Sequence, residues 1–239
     1  MSTIIHGNIV STRTQRVLLL VEELGIEYDL HTLRFDKADH HAPDYIKKHH
    51  PFAKVPAFQD ADINLFESRA ICRYLASKHR SELGPPAGDV KALALFEQAA
   101  SVETSYFEPA VEKLGFELIF KKVLGLGEAD EAFVDQQKAQ LMNVLDYYEN
   151  ILSEQDYLAG NVRCSNTTVS FTRLTSSHAH MTLQTYSLVD LFHLPWISFI
   201  QNRLQLSDEI ESRTNTKGWW NRVSQRAATK AVFVKMSQA

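Results

Sequence analysis

Residues 81–89 (SELGPPAGD) divide the chain into two stretches of different periodicity, and that division constrains the fold more than any other feature. Proline and glycine at this density end regular structure and mark a boundary between units. Before the boundary, short β-rich runs alternate with helical patterns. Residues 3–5 and 28–33 read as strands. Residues 14–24 place Val17, Leu20, Val21 and Leu24 at helical spacing, and Gly25 stands where a C-cap needs a left-handed residue. Residues 42–48 read as a short helix, 55–58 and 63–66 as two strands around a turn at Asp60-Ala61-Asp62, and 67–78 as a helix with Ala70, Ile71, Tyr74 and Leu75 on one side. After the boundary the pattern is almost entirely helical. Residues 90–123 form one long pattern, in which Pro109 should kink the helix or end its first half. Residues 131–153 are amphipathic through Phe133, Leu141, Val144, Leu145, Tyr148, Ile151 and Leu152. Ser187-Leu188-Val189-Asp190 resembles a capping box, with Asp in place of Glu, ahead of the apolar run 191–200. A last helix is expected to begin near Lys217 and run through Trp219, Trp220 and Val223.

The order βαβ–α–ββα is that of a thioredoxin-like domain. The expected fold is therefore a two-domain chain, α+β followed by all-α. Residues 1–80 form the thioredoxin-like domain, 81–89 the linker and 90–239 the helical domain. At 239 residues the chain is long enough for two proper cores. A net charge of −4 provides no field that favours nucleic acid or an anionic membrane. Only two cysteines are present, Cys72 and Cys164, far apart in sequence, which argues against a disulfide framework and suits a reducing compartment. The start MSTIIHGNIV lacks a signal-peptide pattern, and the longest apolar run, near 17–21, is far short of a membrane span. A cytoplasmic enzyme or binding protein is expected.

Residues 162–184 (VRCSNTTVSFTRLTSSHAHMTLQ) do not fit this layout. They are rich in Ser and Thr, lack a helical period, and make a long loop inside a compact domain. Their removal joins YLAGN to TYSLVDL. A retained intron explains them. Val162-Arg163 can be encoded by a donor-like GTACGT, Leu183-Gln184 can end in an acceptor-like CAG, and Leu174-Thr175 can supply a branch-like element. The 23 residues, at three nucleotides each, make 69 nucleotides and keep the frame, and 216 of the 239 residues are left without them. A natural surface insertion is the alternative, and sequencing of spliced transcript decides between the two. Asn166-Thr167-Thr168 fits a glycosylation sequon that has no meaning in a cytosolic chain.

The chemistry concentrates in two places. The run PFAKVPAFQDADINLFESRA, from Pro51 to Ala70, has the parts needed to hold a small peptide. Val55, extended before Pro56, can offer its backbone to a ligand chain as a strand edge does. Glu67 at the start of a helix supplies a carboxylate for an ammonium group. The hydroxyl of Ser68 and the free N–H groups beside it suit a carboxylate. Glutathione is such a ligand. The second place is Ser11, between the first strand and the first helix. Its hydroxyl, assisted by the helix dipole, can donate to a thiolate. A free thiol has a pKa of about 8.5, and lowering it by about two units needs roughly 2.7 kcal/mol of preference for the thiolate. A charge-assisted hydrogen bond with the dipole is of that order. Taken alone, Ser11, Thr12 and Thr14 read as ordinary N-capping. The Pro56 and Glu67-Ser68 elements tip the reading toward a ligand site.

The pattern S-T-x-T-x-R-V at Ser11–Val17, together with PF-x-KVPAF and LFESRAI, resembles the phi class of glutathione transferases. FELIFK (116–121), LGL (124–126) and LVDLFHLPW (188–196) are similar to that class as well. The resemblance covers nearly the whole chain except 162–184. It implies that Ser11 is the catalytic serine, with Thr12 beside it on the glutathione side. It implies that the Val55 backbone pairs with the cysteinyl unit, that Pro56 is a cis-proline, and that Glu67 and Ser68 hold the γ-glutamyl end. His40 and Lys54 match contacts to the glycine end. Where the class has His-Lys this chain has His40-His41, so either histidine could make that contact. The class also has glycine at the place of Ala53. The implied reaction is attack by glutathione thiolate on a small apolar electrophile or a hydroperoxide oxygen. Glutathione serves as co-substrate, no metal or prosthetic group is needed, and the protein is a homodimer. Phe35, Phe107, Phe116 and Phe120 are candidates for the electrophile pocket. Of the last three, two are expected to lie in the helical core instead.

Other readings carry less. His40, His41, His49 and His50 lack an HExxH motif or an accompanying Cys/His set for a metal. Cys72 inside the 67–78 helix reads as a buried apolar residue, and the absence of CxxC argues against a thiol–disulfide oxidoreductase. Trp219-Trp220 reads as packing. A ligand carrier with little turnover would be expected to have lost Ser11, and a scaffold protein would be expected to bring charged tails or further domains.

Overall fold

The computed structural model describes residues 3–160 and 185–238. Residues 162–184, and with them the insertion, intron and sequon readings and Cys164, lie outside the described residues. The first half is β1 (Thr3–Gly7), α1 (Thr12–Leu24), β2 (Tyr28–Thr32), a 3-10 turn at Asp39–His41, α2 (Pro43–Lys48), β3 (Ala57–Gln59), β4 (Asn64–Phe66) and α3 (Ser68–Lys78). The four strands form one sheet in the order β2-β1-β3-β4, with β1 parallel to β2 and antiparallel to β3. The β3–β4 hairpin turns on Asp60, whose Oδ1 accepts the N–H groups of Asp62 and Ile63 at 2.9 and 3.0 Å. Both of these strands start later than their apolar runs. Pro56 has no N–H to give a ladder, and Ile63 closes the turn by accepting the Asp60 N–H at 3.1 Å.

Ile5 and Phe58 pair across the sheet and are buried in the core with α1 and α3. The alternation of a strand sends His6 to the other face. There it meets α2 and its cap, with ring centroids 6.4 Å from Tyr45 and 3.9 Å from His49. The first helix is more buried than its one-sided spacing predicts. Val17, Leu18, Leu19, Leu20 and Val21 are all fully buried, because α1 packs on α3 and also on helices α8 (Leu188–Asn202) and α11 (Ala227–Ser237) of the second half.

The second half begins with α4 (Val90–Val102), capped by Asp89. Pro109 does not end this helical run. The backbone stays helical through a wide π-turn at Glu103–Phe107 into α5 (Glu108–Gly115), so the proline sits in a first turn, where it is tolerated. A second π-turn at Phe116–Phe120 leads into α6 (Lys121–Val123), and α7 (Glu131–Leu152) follows. Next come α8, α9 (Ser207–Glu211), α10 (Thr214–Ser224) and α11. The single last helix expected from Lys217 is therefore two helices, and it starts earlier. The break falls at Arg226, whose extended backbone lets its guanidinium donate to Glu23 of α1 at 2.6 and 2.8 Å. The capping box is formed as the sequence suggested, and Asp190 does more than cap. It is fully buried, and it accepts from the Ser187 N–H, the Leu158 N–H and the Trp219 indole, each at 2.9 Å. No described helix is long and apolar enough to cross a membrane.

Candidate active site

The sheet gathers the candidate segments. Residues His31, His6, Ala57 and Phe66 are partners in one row across β2, β1, β3 and β4. β1 and β2 run the same way, β3 runs against them, and β4 runs with them. One end of the sheet therefore receives the segment after β1 (Ser11), the loop after β2 (Phe35 to His41), the segment before β3 (Lys54 to Pro56) and the segment after β4 (Glu67, Ser68). Four pieces spread over more than fifty residues of sequence, from Ser11 to Ser68, converge by topology alone.

Ser11 is held by a braced loop. Its N–H donates to Asn8 O at 2.9 Å, and Asn8 Nδ2 reaches Leu33 O at 2.9 Å, which ties the loop to the end of β2. Gly7 lets α1 approach β1, since a Cβ there would lie 2.6 Å from the Thr14 side chain. Ser11 caps α1, with its Oγ accepting the Thr14 N–H at 3.3 Å. The capping reading and the thiolate reading are compatible, because an oxygen that accepts keeps its own proton to donate. Thr12 follows as the half-buried first residue of α1.

The Val55–Pro56 peptide is cis. Tyr45 of α2 fixes the loop before it, donating its hydroxyl to Lys54 O at 2.6 Å. Lys54 is exposed, Val55 half-buried and Pro56 buried. Ala53 has φ 53°, so its methyl group occupies the left-handed region that glycine adopts freely. At the start of α3, Glu67 is exposed at φ 71° and no side chain caps the helix. Ser68 is buried, and its Oγ accepts from Arg16 Nη1 at 2.8 Å.

His40 is half-buried beside Phe35, with ring centroids 5.3 Å apart, and its Nδ1 is buried without a hydrogen-bond partner. Burial, and then the neighbouring His41, hold its pKa below the ordinary value. His41 is exposed. Among the described residues no three His, Cys, Asp or Glu side chains are grouped to hold a metal. Cys72 is fully buried and its thiol is pushed up to about 12 by burial, so it is inert as a nucleophile.

The aromatic candidates divide differently from the sequence reading. Phe107 is fully buried against Tyr148 and His193, at 5.9 and 4.8 Å between ring centroids, and belongs to the helical core instead of a pocket wall. Phe116 and Phe120 are 40% and 44% exposed, so only one of these three is core. The π-turn that carries both of them widens the helix and turns them outward, and Phe120 stacks on Phe199 of α8. Phe35 is 41% exposed.

The structure also shows an ionic centre that motif reasoning missed. Arg16, fully buried in α1, donates to Glu103 at 3.1 Å, to Glu108 at 3.0 Å and to Phe192 O at 3.2 Å. Arg69 meets Glu103 at 2.7 Å and also Glu108, and Arg13 meets Glu108 and Glu112 at 2.8 and 2.9 Å. Burial alone would raise the Glu108 carboxyl, but the guanidinium groups of Arg16, Arg13 and Arg69 outweigh it and hold the group at about 2. One sequence signal was available: a charged residue directly before the run Val17–Val21 on a helix that has no polar face there.

Comparison with known proteins agrees with this geometry. Residues 1–77 match the family described as Glutathione S-transferase, N-terminal domain. Glutathione S-transferase PM239X14 of Arabidopsis thaliana is 35% identical over 223 residues, spanning 90% of this chain and 88% of its own length. Glutathione transferase F2 from Populus trichocarpa has a crystal structure similar at a TM-score of 0.82 and 30% identity, covering 99% of this chain and all of its own. The chain belongs to the glutathione S-transferase family, in its phi class. A further structure, glutathione S-transferase I from mais in complex with an atrazine glutathione conjugate, is similar at a TM-score of 0.81 and 27% identity over 99% of each chain. The transferase fold is thus present over both halves, a thioredoxin-like domain with a mixed four-stranded sheet followed by helices.

Proposed function

We propose that this transferase lowers the pKa of the glutathione thiol at Ser11 and adds the thiolate to a small apolar electrophile, with hydroperoxide reduction as a second outlet of the same nucleophile. The observation that carries the proposal is the convergence of Ser11, Val55-Pro56 and Glu67-Ser68 at one end of the sheet, with the Ser11 hydroxyl proton left over after capping. Glu67 receives the ammonium and Ser68 the carboxylate of the γ-glutamyl end. The Val55 backbone pairs with the cysteinyl unit, and Thr12, Lys54 and the His40-His41 pair line the remainder. Phe35, Phe116 and Phe120 offer apolar surface to the electrophile. Glutathione is a co-substrate, and the chemistry calls for no metal or prosthetic group. The division at 81–89 and the dispensability of 162–184 belong to the same reading, and deletion of 162–184 is expected to raise the melting temperature. The reading also includes a cytoplasmic homodimer that acts in detoxification and stress. Exposed apolar residues such as Phe52, at 68%, support the self-association.

The test is the initial rate of conjugation to chlorodinitrobenzene from pH 6 to 9, for the wild-type chain and Ser11→Ala, beside binding of S-methylglutathione. A sharp loss of rate in the variant, with its profile moved to higher pH, supports the reading. Ligand binding without turnover in the wild type would replace it with a carrier function.

A further inference from the structure

Gln15 is buried near the start of α1, although glutamine is mostly an exposed residue. A buried amide needs partners for its polar atoms. Its Nε2 lies 2.8 Å from two acceptors, Ile9 O and Met236 Sδ, and the two N–H groups of one amide suffice for both. Ile9 belongs to the loop 8–11 that carries Ser11. Met236 belongs to α11, the last described helix, 221 residues away. One side chain thus ties the loop before α1 to the far end of the chain. The tie has a fixed anchor. α11 is held to α1 by Arg226, just before its start, on Glu23, and by Lys235, next to Met236, on Glu22. Lys235 also donates to the Tyr28 hydroxyl at 3.1 Å. Asn8 braces the same loop from the other side, through Leu33 O just past β2. The loop is gripped on two sides, and neither grip uses the Ser11 hydroxyl. A group that acts on a reacting atom has to be held within about 0.5 Å of its productive place.

We propose that Gln15 is a positioning residue for the glutathione reaction, and that α11, through Met236, sets the place of the Ser11 hydroxyl. The inference rests on the assignment of Ser11 in the proposed function. The grip on Ile9 acts where the thiolate forms and leaves the subsites for the two ends of glutathione untouched. Its loss should therefore cost thiolate stabilisation and not affinity for the rest of the tripeptide.

The test uses the full chain. Gln15→Met keeps the length of the side chain and removes both donors. Met236→Leu is a swap of similar volume that removes only the acceptor on α11. The readouts are conjugation of glutathione to chlorodinitrobenzene from pH 6 to 9 and the Kd of S-methylglutathione, which has no thiol to ionise. In Gln15→Met, kcat/KM at pH 6.5 should fall about five- to tenfold, as for a one-unit rise in thiol pKa, which is the scale of a single neutral hydrogen bond. The rate at pH 9, where the bound thiol is ionised in both proteins, should stay within about twofold of wild type. The Kd of S-methylglutathione should not change. Met236→Leu should move the profile the same way by a smaller step, and Gln15→Met added to Ser11→Ala should move it no further than Ser11→Ala alone. A folded Gln15→Met protein with the wild-type profile overturns the inference. So does a loss of equal size at every pH, which is what damage to packing gives. A wild-type profile in Met236→Leu beside a shifted one in Gln15→Met overturns the role of α11. Should Gln15→Met not fold, the profile of Met236→Leu decides. A profile that does not move in Ser11→Ala overturns the Ser11 assignment itself, which is a different failure from an unmoved profile in the Gln15 variant alone.

Discussion

Two helices begin at the functional end of the sheet, and they begin in opposite ways. α1 opens on Ser11 in extended backbone, with φ −79°, and its side chain satisfies a first-turn N–H in the ordinary manner. α3 opens on Glu67 at φ 71° with no side-chain cap, and Ser68 behind it is engaged by a buried arginine. A helix start has four N–H groups without intrahelical partners. α1 settles part of that need internally, whereas α3 keeps its first-turn donors for something else. A left-handed non-glycine residue costs about 1–2 kcal/mol, so the start of α3 is strained as well as uncapped. In the proposed function the contrast separates two tasks. At α1 a hydroxyl already built into the helix would support a soft thiolate. At α3 a strained, open terminus would receive the charged end of the ligand.

The largest expected effect tests the α1 side. Glycine at a cap position costs only a few tenths of a kcal/mol relative to serine, so Ser11→Gly should leave the melting temperature nearly unchanged. Conjugation at pH 6.5 should nevertheless fall about a hundredfold, for a two-unit change in thiol pKa. The sign follows from which form is favoured. On the proposed function the bound thiol has a lowered pKa in the wild type, so the rate should hold to low pH and be lost as pH drops through that value. In the variant the loss should begin near the free-thiol pKa of about 8.5. A pH–rate profile that does not move would show that Ser11 is only a cap.

Next in size is Ser68→Ala. It removes the acceptor for the Nη1 of a buried guanidinium, an omission that costs about 1–3 kcal/mol. Both the urea midpoint and glutathione affinity should drop, the latter about tenfold by KM. An unchanged urea midpoint would mean that the Arg16 contact carries no energy and that the two helix starts are alike in this respect. Glu67→Gly should act in opposite directions on stability and binding. Relief of the positive φ should stabilise the fold by about 1 kcal/mol, while glutathione KM rises because the carboxylate is gone. A loss of stability on equilibrium unfolding would place the strain elsewhere. The smallest effect is expected at Ala53→Gly, where φ is 53°. Stability should rise by about 0.5–1 kcal/mol, with glutathione KM changed less than twofold. A larger change in KM would add this loop to the positions where backbone strain and binding are linked.

Legibility followed the range of the interaction. Gly25, Ser187, Asp190 and the Asp60 turn were readable because caps and turns are decided within four residues, where the sequence displays every partner. The helical periods of α1, α3 and α7 were readable for the same reason. The strand starts at Ala57 and Asn64 were misplaced by one or two residues, since a ladder needs a partner strand and an apolar run does not reveal where pairing begins. Phe107 and Phe120 lie thirteen residues apart on one helical run, yet one is core and the other surface. The π-turns at Glu103–Phe107 and Phe116–Phe120 shift the helical phase between them, and no residue type in the sequence marks such a turn.

The sequence by itself determined the two-part plan, the caps at Gly25 and Ser187 and the identity of the side chains proposed to face glutathione, because each rests on local backbone preference or on a motif that stands intact in the chain. The tertiary structure alone decided how those side chains are backed. Arg16 reaches its partners 52, 87, 92 and 176 residues away, and such contacts exist only after β1, β3 and β4 have aligned and α8 has packed on α1. A buried charge is acceptable only where several distant partners arrive together. Their arrival is a property of the packed fold and cannot be read from any stretch of the chain.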